Sequence, residues 1–189
     1  MEEIVLIGFG GHAKSVADCI ERSGKFCIVG YTDIEEQNSK YNYLGDDENF
    51  QTIFDSGIKN AVIGIGYLGK NNVRNVIYKK LKSIGFNLPV IIDPSAIVSE
   101  TVQLGEGTFI GKGAIINTEA KIGKCCIINT KALVEHECCV ADFSHIAVGA
   151  VLCGQVIVGK NAFIGANSTV IQNRNINDYE IVPAGYTKR

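Results

Sequence analysis

From Asp93 onward the chain repeats a pattern of apolar and polar positions every six residues, with no insertion. The blocks read DPSAIV, SETVQL, GEGTFI, GKGAII, NTEAKI, GKCCII, NTKALV, EHECCV, ADFSHI, AVGAVL, CGQVIV, GKNAFI, GANSTV, IQNRNI and NDYEIV. The sixth residue is aliphatic in all fifteen, from Val98 and Leu104 through to Ile176 and Val182. The fourth is small or compact in the first thirteen blocks and becomes Arg174 and Glu180 in the last two. Such a period predicts a triangular prism of short parallel strands, one block to a side and three blocks to a coil. The sixth residue then points inward and stacks on its counterpart one coil away, and the fourth fills a corner where only a small side chain fits. Gly105, Gly111, Gly123, Gly159 and Gly165 open their blocks, where a sharp turn with positive φ is expected. The switch to Arg174 and Glu180 predicts that the interior stops being packed there.

Residues 1–92 follow a different rhythm. Ile4–Ile7 reads as a short buried strand, followed by Gly8-Phe9-Gly10-Gly11-His12-Ala13 and a helix over Ala13–Ser23. Further strands are expected at Cys27–Tyr31, Ala61–Ile65 and Leu88–Ile92, with helices over Asp46–Asp55 and Lys70–Ile84 and a loop over Asp33–Tyr43. Alternating strands and helices imply a small, doubly wound parallel sheet of about four strands. The predicted organisation is therefore a Rossmann-like α/β domain over 1–92 and an all-β, left-handed parallel β-helix over 93–189.

Gly8, Gly10 and Ala13 match GxGxxA, with Asp33 further along, which taken alone is a weak dinucleotide fingerprint. A domain this small suits a nucleotide-sugar diphosphate or another small anion at the helix N-terminus better than NAD, and a tight turn with no ligand is the plain alternative.

Charge narrows the field. The 189 residues carry a formal charge of −2 and are 46% hydrophobic, with no basic run beyond Lys79-Lys80, which argues against nucleic-acid binding. No apolar stretch approaches the ~20 residues of a membrane span. Seven cysteines, without zinc-type spacing and behind an acidic N-terminus lacking a signal-like apolar run, read as reduced thiols in the cytoplasm. Cys126 and Cys138 fall at the small inward position and read as small core residues.

The chain has three histidines, His12, His136 and His145, and the last two lie inside the repeat. His136 occupies the outward second position of its block between Glu135 and Glu137. A histidine beside a carboxylate suits a general base, which acyl transfer from a thioester to an amine or hydroxyl requires. On spacing alone, an exposed histidine among solvating glutamates fits equally well.

GFGGHA at the N-terminus, a small α/β domain, and a β-helix containing VEHECCVADFSHIAVGAVLCG resemble one bacterial family over essentially the whole chain. It is the sugar O-acyltransferase family of the sialic-acid O-acetyltransferase type, whose relatives N-acetylate nucleotide-linked 4-amino-4,6-dideoxy sugars. The resemblance implies an acetyl-CoA-dependent enzyme without a metal, in which His136 is the general base and Glu135 the carboxylate that orients it. It further implies Asn129 and His145 near the cofactor and Gly154 as the amide supporting the thioester oxyanion. Gly10, Gly11, His12 and Asp33 become substrate-binding residues. It implies a homotrimer whose sites lie between subunits. Relatives often carry two acidic residues after the second strand, whereas Thr32-Asp33-Ile34 keeps one, which leans toward O-acetylation of a free sugar as the alternative. A zinc hydratase on the same scaffold needs three converging histidines, and only two lie in the repeat. A non-catalytic scaffold is the remaining contrast.

Overall fold

The computed structural model describes residues 1–69 and 72–189. They divide into two compact units: Met1–Gly66 with Asn72–Pro89, and Tyr67–Gly69 with Val90–Arg189.

The first unit is a three-stranded parallel sheet in the order β2-β1-β3, with β1 at Glu2–Ile7, β2 at Phe26–Thr32 and β3 at Asn60–Ile63. β1 is central, and Ile4 to Ile7 are wholly buried, as a strand covered on both faces requires. Helix α1 (Gly11–Ser23) buries Ala13, Val16, Ala17, Cys19 and Ile20 and stops at Gly24 in the left-handed conformation. Asp46 caps a short 3₁₀ turn over Asp47–Asn49, which leads into α2 (Phe50–Asp55). α3 spans Val73–Ile84; the first residues of the predicted Lys70–Ile84 helix, Lys70 and Asn71, lie outside the described residues. The expected fourth strand does not join this sheet. β4 (Ile91–Ile92) pairs instead with Phe109–Ile110 and so forms the first rung of the β-helix.

From β4 the second unit is a left-handed parallel β-helix of two-residue strands, one every six residues, ending at β20 (Thr187–Lys188). They stack into three flat sheets of six, six and five strands. The first face carries the strands that include Ile91, Phe109, Ile127, His145, Phe163 and Ile181. The second carries those from Ile97 to Thr187, and the third those from Gln103 to Asn175. A further block, PAGYTK, follows the fifteen apolar ones and closes the second face. The interior is the predicted column: Ile110, Ile116, Ile128, Val134, Ile146, Leu152 and Ile164 are wholly buried, with Ala114, Ala132, Cys138, Ala150 and Ala162 at the corners. Each aliphatic residue so buried stabilises by about 1.5–3 kcal/mol relative to exposure. Arg174 is exposed, as the pattern break predicts.

The turn chemistry differs from expectation. Positive φ falls on the third residue of every block from Gly107 to Gly185, including Glu119, Cys125, Glu137, Phe143 and Gln155, and not on the first. First-position glycines have another cause. A Cβ on Gly105, Gly159 or Gly165 would lie 2.4–2.5 Å from the backbone of the next coil, so these glycines permit close stacking. Among the described residues no helix is long and apolar enough to cross a membrane.

Candidate active site

The prism has three edges, and the candidate residues of the β-helix occupy two of them. Residues 135–138 and 153–156 turn the edge between the second and third faces; residues 129–132 turn the edge between the first and second.

At the first of these edges His136 is half-exposed. Its Nδ1 lies 2.9 Å from Glu137 Oε2. A carboxylate oxygen accepts, so Nδ1 carries the proton and the Nε2 lone pair is left for other work. The carboxylate that meets the imidazole is thus Glu137, whereas the resemblance implies this role for Glu135. Glu135 turns the other way, its Oε2 accepting the backbone N–H of His136 at 3.2 Å. Glu137 itself takes the left-handed conformation, with φ of 58°. Glu137 Oε2 also accepts from Gln155 Nε2 at 3.1 Å, one coil above. These contacts, the imidazole first and the Gln155 amide second, hold the Glu137 carboxyl below its ordinary range.

Gly154 stands one coil above His136, and a Cβ there would lie 2.5 Å from the imidazole Nε2. Glycine is therefore what allows the ring to lie against the backbone. Second-position amides fall outside the inter-coil ladder, and several are taken up by side chains: Lys124 by Asp142 and Lys160 by Asp178, each one coil on, and Thr130 by the preceding Asn129. Cys153, which precedes Gly154, has no carboxylate or amide side chain to take up the Gly154 N–H.

His145 is in a different state. It sits at an outward fifth position yet is only 6% exposed. Its Nδ1 donates to the Tyr67 carbonyl at 2.6 Å, and Asn129 Nδ2 lies 3.1 Å from Nε2. The carbonyl can only accept, so Nδ1 bears the proton and Nε2 accepts from Asn129. Asn129 is oriented from its other end as well, since its Oδ1 accepts the Thr130 N–H at 2.8 Å. Phe163 meets the ring edge-on at 5.2 Å, and the Tyr67 hydroxyl donates to the Asn161 carbonyl. His145 and Asn129 are thus brought together, while His136 and Gly154 form a separate cluster on another edge of the same prism.

Cys138, beside His136 in sequence, has its thiol pushed up to about 11, chiefly by burial, which suits a core residue. Among the described residues no three His, Cys, Asp or Glu side chains converge as metal ligands.

In the first unit the loop after β1 carries the remaining candidates. Gly8 has φ +83, and a Cβ there would meet Ile65 at 2.6 Å. Gly10 precedes the first turn of α1 and no side chain caps it; a Cβ on Gly10 or Gly11 would meet nothing within 4 Å. Ala13 packs where a Cβ on Gly64 would come within 2.7 Å, the close helix-to-strand approach that this motif position serves. His12 is half-buried in the first helical turn. Asp33 ties the loop down: its Oδ2 accepts the Phe9 N–H at 2.8 Å and its Oδ1 the Ile34 N–H at 2.7 Å. Phe9 stacks on Tyr31 at 4.3 Å, fixing the same loop from below.

Residues 3–81 match the family described as the PglD N-terminal domain. A perosamine N-acetyltransferase from Caulobacter crescentus, crystallised as a histidine-to-asparagine mutant with CoA and GDP-perosamine, superposes with a TM-score of 0.93. It is 33% identical and is matched over 99% of this chain and 88% of its own. The chain belongs to the PglD-type sugar acetyltransferases. Within that family the acetyltransferase domain of PglB from Neisseria gonorrhoeae is 27% identical with a TM-score of 0.92, over 99% of this chain and 91% of that one. A GDP-perosamine N-acetyltransferase of Escherichia coli is 26% identical over 105 residues, 56% of this chain and 48% of the relative. The chain thus spans about half the length of that curated relative.

Sequence reasoning missed three residues of the two clusters. Glu137 and Gln155 were legible in principle, because third positions 18 residues apart stack in adjacent coils. Tyr67 lies outside the repeat, and no periodic signal marks it.

Proposed function

We propose that this chain transfers the acetyl group of acetyl-CoA to the amine of a nucleotide-linked amino sugar. The observation that carries the reading is the His136–Glu137 pair, with an open Nε2 lone pair lying against the Gly154 backbone. In this reading the sugar amine attacks the thioester carbonyl while His136 Nε2 takes the amine proton. The Glu137 carboxylate stabilises the imidazolium that forms, and the Gly154 N–H donates to the oxyanion. Collapse re-forms the carbonyl as an amide and breaks the C–S bond, and the imidazolium returns its proton to the departing CoA sulfur.

Asn129 and His145 serve the cofactor, with Asn129 presenting its amide and His145 holding it in orientation. Because their edge of the prism differs from that of His136, a site using both clusters draws on two copies of the chain, which supports a homotrimer. Gly10, Gly11, His12 and Asp33 hold the sugar substrate, Asp33 by fixing the loop rather than by offering a vacant carboxylate. We place the reaction in the cytoplasm, which suits acetyl-CoA and a chain whose seven cysteines read as reduced thiols.

The test is CoA-thiol release from acetyl-CoA with GDP-perosamine, UDP-linked 4-amino-4,6-dideoxy sugars and free sialic acid as acceptors. Turnover confined to the nucleotide-linked amino sugars is the expected result. Turnover with sialic acid alone replaces this reading with O-acetylation.

A further inference from the structure

We infer that Gln155 is a positioning residue for acetyl transfer, acting through Glu137 to hold the His136 imidazole in its reactive orientation. The inference rests on the reading of His136 as the base.

The geometry is specific. Gln155 lies one coil above Glu137, and both adopt the left-handed conformation, with φ of 61° and 58°. The Gln155 N–H donates to the His136 carbonyl at 3.0 Å. Its side-chain Nε2 donates at 3.1 Å to Glu137 Oε2, the same oxygen that meets His136 Nδ1 at 2.9 Å. One residue thereby fixes both the backbone of the base and the carboxylate that orients it. Glu137 is exposed, and a carboxylate on an exposed turn has several rotamers open to it. Without a second donor on Oε2, the pairing with the imidazole competes with water alone. A glutamine suits the task because it donates without adding charge beside the pair. The other titratable or charged groups on this edge are Glu135, whose carboxylate engages the His136 N–H, Cys138 in the same turn, Glu100 and Glu119 in the coils below, and Cys153 and Arg174 in the coils above.

Nothing in the fold requires a glutamine here. Third positions elsewhere in the repeat are Gly, Asn, Glu, Lys, Cys, Phe and Tyr, so the ladder accepts many residue types. A purely structural Gln155 therefore predicts that Gln155→Leu leaves both the ring and the turnover unchanged.

Two readouts separate the possibilities. The first is the ¹⁵N spectrum of the histidine side chains at a pH where the rings are neutral, tractable with only three histidines in the chain. Wild type should show His136 protonated at Nδ1, and Gln155→Leu should show a mixture with the Nε2–H form. An unchanged His136 spectrum overturns the inference. The second is steady-state kinetics with GDP-perosamine and acetyl-CoA. Gln155→Leu should lower kcat roughly threefold to tenfold with both KM values held within about twofold, the size expected for the net loss of one solvent-exposed hydrogen bond. The loss should vanish when Glu137→Gln is already present, and Gln155→Asn should restore less than half of it. An equal loss in both backgrounds overturns action through Glu137. If the spectrum changes as expected while His136→Ala retains full turnover, the base reading falls and the positioning of the ring by Gln155 stands.

Discussion

Two histidines of the same β-helix carry their proton on the same nitrogen and are suited to opposite tasks. At His136 the Nδ1–H is held by a carboxylate, and the Nε2 lone pair opens onto a glycine backbone. At His145 the Nδ1–H is held by the Tyr67 carbonyl, and the lone pair is already occupied by the Asn129 amide. The first ring can take a proton and has a counter-charge ready for it. The second has no vacant lone pair, and protonating it would set an N–H against the amide donors of Asn129. What a histidine does here is decided by the partners of its second nitrogen, more than by tautomer or by place in the repeat.

Perturbing those partners, with both rings kept, breaks or sharpens the contrast. The largest effect is expected from Gly154→Ala, whose Cβ has no room beside Nε2. Displacing the ring by about an ångström should lower kcat roughly a hundredfold, with little change in thermal midpoint. Glu137→Gln should cost about tenfold in turnover, read as CoA release, whereas Glu135→Gln should stay within about twofold of wild type. The pH dependence follows from the sign of the Glu137 shift. Its carboxyl is held below the ordinary range, so its support of the fold and of the ring is complete above that range. That support is lost as pH falls through the depressed value. Wild-type turnover should therefore fall more steeply than that of Glu137→Gln on the acid side. The smallest effect is expected from Asn129→Leu on stability, about 1 kcal/mol by denaturant melts, because the Thr130 N–H and His145 Nε2 each lose a partner.

The two units differ in how much of them the sequence disclosed, and the reason is physical. Each coil of the β-helix packs only against copies of itself, so the sixth and fourth positions report the interior directly, down to the break at Arg174. The turn residues were harder to read. Position three takes the left-handed conformation not only in Gly and Asn, which favour it, but also in residues as unlike as Glu137, Phe143 and Gln155, where the ladder imposes it. The resemblance points to Glu135, and position beside His136 does not separate it from Glu137. Only the folded geometry brings Glu137 Oε2 to the imidazole Nδ1. In the α/β unit the elements were legible from their periods. The edge strand was misplaced, because Ile91–Ile92 reads as a buried strand whichever sheet it joins. The partner that orients His145 is not legible in the repeat, since Tyr67 comes from a glycine-flanked segment outside it.

The most direct test compares CoA release catalysed by His136→Ala and by His145→Ala with one amino-sugar nucleotide, each rate normalised to the folded fraction. The account predicts a loss of roughly a hundredfold to ten-thousandfold for His136→Ala with an unchanged melting temperature. It predicts a loss within about tenfold for His145→Ala, with a melting temperature several degrees lower from about 1–3 kcal/mol of lost stability. Equal catalytic losses in the two variants, or the larger loss in His145→Ala, would contradict the assignment of His136 as the base.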